Sequence, residues 1–128
     1  MPRTEPPLVN FIARGNTPNE WRIVLVVSGP WEGAIPAHLR ALQNRLYGCI
    51  DGALAGALAE KFPESKGKSL VIQVDCYNVR RSDVDAFFRM FSTGVFAAGG
   101  YKGAATGNAY VSRIGFAITF NSTLSSIH

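Results

Sequence analysis

Side chains suited to catalysis are few in this 128-residue chain, and they do not cluster along the sequence. The two histidines, His38 and His128, are too few for a metal site built from several histidine ligands within one chain. No G-x-S-x-G turn presents a serine, as it would in a Ser-His-Asp hydrolase. Asp75, Cys76 and Tyr77 are consecutive on a predicted strand, where neighbouring side chains point to opposite faces, so they cannot act as one group. We therefore expect no catalytic residue, no metal and no cofactor, and a non-enzyme is favoured over an enzyme.

A glycine-rich segment at residues 99–109 suggests a different chemistry, the binding of an anion. Gly99, Gly100 and Gly103 can expose backbone N–H groups beside Lys102, as in phosphate-binding loops. A P-loop would need a lysine at position 100, where this chain has a glycine, and a helix after the loop, where a strand is predicted. The segment is interpreted first as a solvated connector and second as the anion site of a ligand or nucleotide sensor.

The charge of the chain is moderately basic, with 13 Lys and Arg against 9 Asp and Glu and a formal net charge of +4. The basic residues are dispersed, and only Arg80 and Arg81 are adjacent. This balance slightly favours an acidic partner or a phosphate-bearing ligand, and it disfavours nucleic acid as the main partner. Cys49 and Cys76 form no C-x-x-C motif, so we interpret them as buried free thiols.

The chain is predicted to be a cytoplasmic protein. No apolar run reaches the 18 or so residues that a membrane span needs. The first ten residues contain no apolar core of the kind found in signal peptides. We expect one domain over residues 8–121, with flexible tails at residues 1–7 and 122–128.

Hydrophobic periodicity predicts the element order β-β-α-β-α-β. The predicted strands are Leu8–Ala13, Trp21–Ser28, Leu70–Val79 and Tyr110–Phe120, and the predicted helices are Pro36–Phe62 and Asp83–Thr93. Each strand alternates between an apolar face and a mixed face, and each helix has one apolar stripe. The pattern therefore favours an α+β fold with one mostly antiparallel four-stranded sheet and both helices on one face.

Three glycines, Gly48, Gly52 and Gly56, form a second stripe on the long predicted helix. Each glycine inside a helix costs about 1 kcal/mol relative to alanine, so a compensating feature is expected. The stripe predicts, in order of preference, close contact with the second helix, a homodimer interface, or a helix break near Gly56.

The mixed face of the sheet is the candidate partner-binding surface. Its candidate binding residues are Arg22, Gln73, Asp75, Tyr77 and Arg113. A face that mixes charged, amide and aromatic side chains can recognise another protein, although cross-strand packing is the simpler interpretation of Tyr77.

The segments VNFI, IVLVVSG, HLRALQNRL and FPESKGKSLVIQV together resemble a family of small bacterial proteins of unknown function. The resemblance covers residues 9–79 and rests on motifs that are mostly structural. It implies a short hairpin, a long helix and a strand in that order, with the helix stopping near Gly56. It implies no catalytic residues.

These observations favour a non-catalytic protein-binding module of a bacterial cytoplasmic protein, associated with immunity or antagonism, that binds another protein or a second copy of itself. The competing hypothesis is a sensor of small anions or nucleotides that uses the 99–109 loop.

Overall fold

The computed structural model describes residues 11–14, 19–97, 103 and 107–121. Its elements are β1 (Phe11–Arg14), β2 (Glu20–Ser28), α1 (Ile35–Ala55), α2 (Ala57–Lys61), a 3-10 turn (Pro63–Ser65), β3 (Lys68–Tyr77), α3 (Arg81–Gly94) and β4 (Val111–Asn121). The predicted order of strands and helices is retained, with α2 as an added short helix. The predicted tails at residues 1–7 and 122–128 lie outside the described residues.

The four strands form one sheet in the order β1-β2-β3-β4. β1 is antiparallel to β2, as expected for a hairpin, but β2, β3 and β4 are all parallel. The prediction of a mostly antiparallel sheet is therefore wrong.

The connections between the strands explain the parallel direction. The 21 residues of α1 extend over roughly 30 Å, which is about the length of the nine-residue β2, so α1 returns the chain to the end of the sheet where β2 began. α3 lies on the connection between β3 and β4. Parallel neighbours need a long crossover of this kind, and the alternation within a strand carries no information about its direction.

All of the helices that contribute to the core pack on the same face of the sheet. Crossover connections are right-handed, so a sheet whose parallel strands follow one another in one direction places both crossovers on one side. The covered face presents alternate residues of the parallel strands: Trp21, Ile23, Leu25 and Val27 of β2, Leu70, Ile72, Val74 and Cys76 of β3, and Ile114, Phe116, Ile118 and Phe120 of β4. These meet Leu46 and Ile50 of α1 and Val84 and Phe88 of α3. The predicted face assignment is confirmed for these strands.

The long helix ends at Gly56, so the prediction of one helix over Pro36–Phe62 is wrong. Gly56 has a φ of 95°, in the left-handed region, and its N–H donates to the carbonyl of Ala53. Glycine adopts this conformation without a steric cost, which is why it commonly closes helices. The stop implied by the family resemblance lies at this position. None of the helices in the described part of the chain has the length and apolar character needed to cross a bilayer.

Candidate functional site

The face of the sheet opposite the helices, called the open face below, is the candidate site. Its residues are Glu20, Arg22, Val24, Val26 and Ser28 of β2, Ser69, Val71, Gln73, Asp75 and Tyr77 of β3, and Arg113, Gly115, Ala117, Thr119 and Asn121 of β4. Most of them are half-buried or exposed, and only Val24 is fully buried. Parallel sheets are normally covered on both faces. Among the described elements, no helix covers this one.

A continuous hydrogen-bonded network crosses the open face from β2 to β4. Arg22 donates through Nη1 to Gln73 Oε1 and through Nη2 to Glu20 Oε2, the latter at 2.8 Å. Gln73 Nε2 donates to Asp75 Oδ1 at 2.6 Å, and Thr119 Oγ1 donates to the same oxygen at 2.8 Å. The carboxylate oxygens accept and the guanidinium donates, so opposite charges are linked through one amide. The network fixes five side chains on three strands in one arrangement.

The structure brings together three of the predicted partner-binding residues. Arg22, Gln73 and Asp75 are consecutive members of the network. Tyr77 lies on the same face, at the carboxyl end of β3, and is half-buried. Arg113 is exposed near the start of β4, in register with Ser69, and has no ion-pair partner in the described part of the chain. Arg113 therefore shares the face without joining the network.

Sequence reasoning omitted Glu20 from the site, and it placed Thr119 on this face without including it among the binding residues. Glu20 could have been found from the sequence, because residues two apart on a strand share a face and Glu20 precedes Arg22 by two. Thr119 becomes a neighbour of Asp75 only through the register of β3 with β4. That register is a property of the folded sheet.

Side chains project least from the open face along the centre of β4, because the residues there are small. Gly115 has open space where a Cβ would lie, and Ala117 follows on the same face. Val71 and Gln73 are their register partners on β3. The result is a shallow strip along β4 between Arg113 and Thr119, called the low strip below.

Most of the predicted anion-binding loop lies outside the described residues. Gly99, Gly100 and Lys102 lie outside them, and Gly103 is exposed. The anion-binding hypothesis therefore stays a prediction.

The predicted glycine stripe does not form a close helix–helix contact at the two positions where the packing is described. A Cβ added at Gly52 would meet only the Cβ of Ala57, at 3.8 Å, which is an ordinary contact. A Cβ added at Gly56 would lie 2.9 Å from the ring of Tyr110, which precedes β4. Gly48 is half-buried on α1. Gly56 ends α1 and leaves room for the Tyr110 ring. A helix break near Gly56 was the least favoured of the three explanations of the stripe.

A second candidate is a cleft of about 450 Å³ at the carboxyl ends of β2 and β3. Its lining residues are Pro30, Trp31, Glu32, Gly33, Ile35, Asn78 and Arg80. Ligands in open α/β sheets bind at this edge where the strand order reverses, but here the order does not reverse. Trp31 stacks on half-buried His38, with ring centroids 4.7 Å apart, and Arg80 pairs with Asp83 at 3.5 Å. Its polar side chains, such as Asn78 and Arg80, are exposed, so the cleft does not assemble reactive groups.

Both cysteines are buried free thiols on the helix side of the sheet, as predicted. Burial raises the pKa of Cys49 to about 11, against a smaller opposite effect of Arg45. Burial also raises the pKa of Cys76 to about 11, and the adjacent charge of Asp75 adds to the effect. Neither thiol is a thiolate nucleophile near neutral pH. Within the described ranges, no three His, Cys, Asp or Glu side chains come together as metal ligands.

Comparison with known proteins supplies no template for this site. No protein-family model, no curated protein and no solved structure matches the chain. The resemblance of residues 9–79 to a family of small bacterial proteins therefore stays an expectation from the sequence. The open face and the elements around it are the basis for the functional proposal.

Proposed function

We propose that this chain is a non-catalytic protein-binding module whose binding surface is the open face. The observation that supports the proposal is a sheet with three parallel strands whose described helices all pack on one side. Parallel sheets are otherwise covered on both faces, so a second protein is the natural cover for this one. A cytoplasmic location, in a bacterial immunity or antagonism system, belongs to the same proposal. Two free cysteines are consistent with a reducing compartment.

The shape of the open face suits a protein better than a small molecule. Small-molecule sites are concave and bury most of their ligand. The open face has a rigid polar network on one side and the low strip at Gly115 and Ala117 on the other. A partner that places bulky apolar side chains over the strip and polar groups against the network would match both halves. Such a mixed surface is typical of protein interfaces that form and dissociate.

The proposal is tested with two matched substitutions of alanine by arginine. Ala117→Arg fills the low strip with a long charged side chain, whereas Ala41→Arg makes the same change at an exposed position on α1, in the helix layer. Partners of the wild-type chain are captured from cells and identified, and the binding of each purified partner is then measured by calorimetry. We expect Ala117→Arg to weaken binding at least 100-fold and Ala41→Arg to leave it unchanged.

Equal affinity of the two variants would reject the open face as the binding surface. A thermal-shift panel of nucleotides and inorganic phosphate tests the competing anion sensor, because a ligand at 100 times its Kd adds about 2.7 kcal/mol to stability. A shift that is lost in Lys102→Ala, with no protein partner captured, would support the sensor instead.

A further inference from the structure

We propose that β4 is a self-association edge, through which two copies of this chain pair antiparallel across a two-fold axis and form a continuous eight-stranded sheet. This inference concerns the edge of the sheet and does not depend on what binds the open face. The unpaired strand edge, the partly covered apolar stripe and the self-complementary sequence of β4 support it.

The sheet has two edge strands, β1 and β4. β1 is described over four residues, Phe11–Arg14, and pairs with β2. β4 has 11 residues, VSRIGFAITFN, with no proline and one charged residue, Arg113. Its inner side pairs with β3, and no strand of the described chain pairs with its outer side. A long edge that lacks the usual protection is a template for another strand.

The apolar stripe of β4 is less completely covered than those of its neighbours. Ile72 and Val74 of β3 are 0% exposed, whereas Ile114, Phe116, Ile118 and Phe120 are half-buried. α3 covers part of this stripe, since the rings of Phe88 and Phe91 meet Phe116 edge-on. Phe96 also stacks on Phe116, and the Arg81 guanidinium lies 4.4 Å from the centroid of the Phe120 ring, yet the stripe stays partly accessible. An identical stripe from a second copy would cover the accessible part, because an isologous interface pairs a surface with itself.

A two-fold axis at Phe116 makes the sequence of β4 self-complementary. In that register Phe116 lies opposite itself and Ile114 lies opposite Ile118 of the second copy, so the helix side of the joined sheet is apolar throughout. Directly opposite residues of an antiparallel pair share a face and lie close enough to interact.

The same register also brings suitable pairs of residues together on the open face. It sets Arg113 opposite Thr119 of the second copy, whose hydroxyl donates to Asp75 at 2.8 Å within its own chain. The exposed guanidinium thus approaches a carboxylate of the other copy, and the symmetry forms this pair twice. Gly115 lies opposite Ala117, which keeps the joined face low at its centre.

The test compares two replacements of a half-buried isoleucine by lysine. Ile118→Lys places a charge inside the edge strand, which is a natural device against edge pairing. Ile35→Lys makes the same change at the start of α1, away from β4. Molar mass is measured by light scattering and sedimentation from about 1 to 500 µM, with circular dichroism to verify folding. We expect twice the 13.8 kDa of one chain for the wild type and for Ile35→Lys, and 13.8 kDa for Ile118→Lys.

Hydrogen exchange of the wild-type chain keeps the proposal testable if Ile118→Lys does not fold. About half of the β4 amides bond to β3, and the outward-facing remainder should be protected only at concentrations where the dimer forms. A wild-type chain that stays monomeric at all concentrations would overturn the proposal. Three other results would also overturn it. They are a dimer that persists in folded Ile118→Lys, a dimer that is lost equally in Ile35→Lys, and dimerisation that is seen only in a variant truncated after residue 121.

Discussion

The covered face and the open face belong to the same three parallel strands but use their side chains differently. On β3 the covered face consists of Leu70, Ile72, Val74 and Cys76, each at most 1% exposed. The alternate residues of the same strand are half-buried, and two of them belong to a polar network. Packing against the helices buries the apolar side chains that stabilise the fold, while hydrogen bonds hold polar side chains of the open face in a defined arrangement.

The largest expected effect comes from one substitution made on both faces of β3. Val74→Ala removes two methyl groups from a site that is 0% exposed, and we expect it to lower the free energy of unfolding by about 2–3 kcal/mol. Val71→Ala makes the same change on the half-buried open face and should cost about 1 kcal/mol or less. Urea denaturation measures both values. Equal losses would show that the open face is covered as completely as the other.

The second effect depends on pH and concerns the thiols on the covered side. The folded-state pKa of each thiol is raised to about 11, above the ordinary value of 9.0, so the stability linked to the protonated thiols is complete below pH 9 and is lost as the pH rises toward 11. Each thiol contributes a decline of up to about 1.4 kcal/mol per pH unit in that window.

Denaturant titrations at pH 8, 9, 10 and 11 measure this decline. The double variant Cys49→Ala, Cys76→Ala leaves all other side chains in place and should show a smaller slope. An identical slope in the double variant, or rapid modification of the native thiols by a disulfide reagent at pH 8, would contradict the assigned burial.

The third prediction concerns the glycine that ends α1 in the helix layer. Gly56→Ala forces a Cβ into a residue with φ of 95° and to within 2.9 Å of the Tyr110 ring, so we expect a loss of about 1–3 kcal/mol. Gly52→Ala lies inside α1 without a close neighbour and should add about 0.5–1 kcal/mol through helix propensity. Thermal unfolding compares the two variants. A stabilised Gly56→Ala would mean that one helix runs through this position.

The smallest effect is expected within the network on the open face. Thr119→Val removes the hydroxyl that donates to Asp75 and nearly preserves shape, so the expected cost is about 0.5–1 kcal/mol because water can replace the lost donor. Ser112→Val, at an exposed β4 position outside the network, is the control. A loss comparable to that of Val74→Ala would show that the network, and not the helix packing, is the main source of stability.

Much of the fold could be predicted from the pattern of residues, and the candidate site only in part. The alternation of apolar and polar residues predicts β2, β3 and β4 and assigns each residue to its face, because the strand period of two is local. That alternation is the same for parallel and antiparallel strands, and the prediction of direction was wrong because it did not weigh the helical connections predicted between β2, β3 and β4. Arg22, Gln73 and Asp75 were found because each lies on the polar side of its own strand. Thr119 needed the register between strands.

The sequence by itself determined which side chains turn toward the helices, where the strands lie, and that reactive groups are few and scattered. The tertiary structure decided which strands are neighbours and in which register they pair, because strand pairing joins residues that are far apart in sequence. It also decided that α1 ends at Gly56, since glycine is compatible with both a helix interior and a left-handed end, and the Tyr110 ring lies where a side chain would be. Both outcomes depend on contacts between residues far apart in sequence, and local patterns do not contain such contacts.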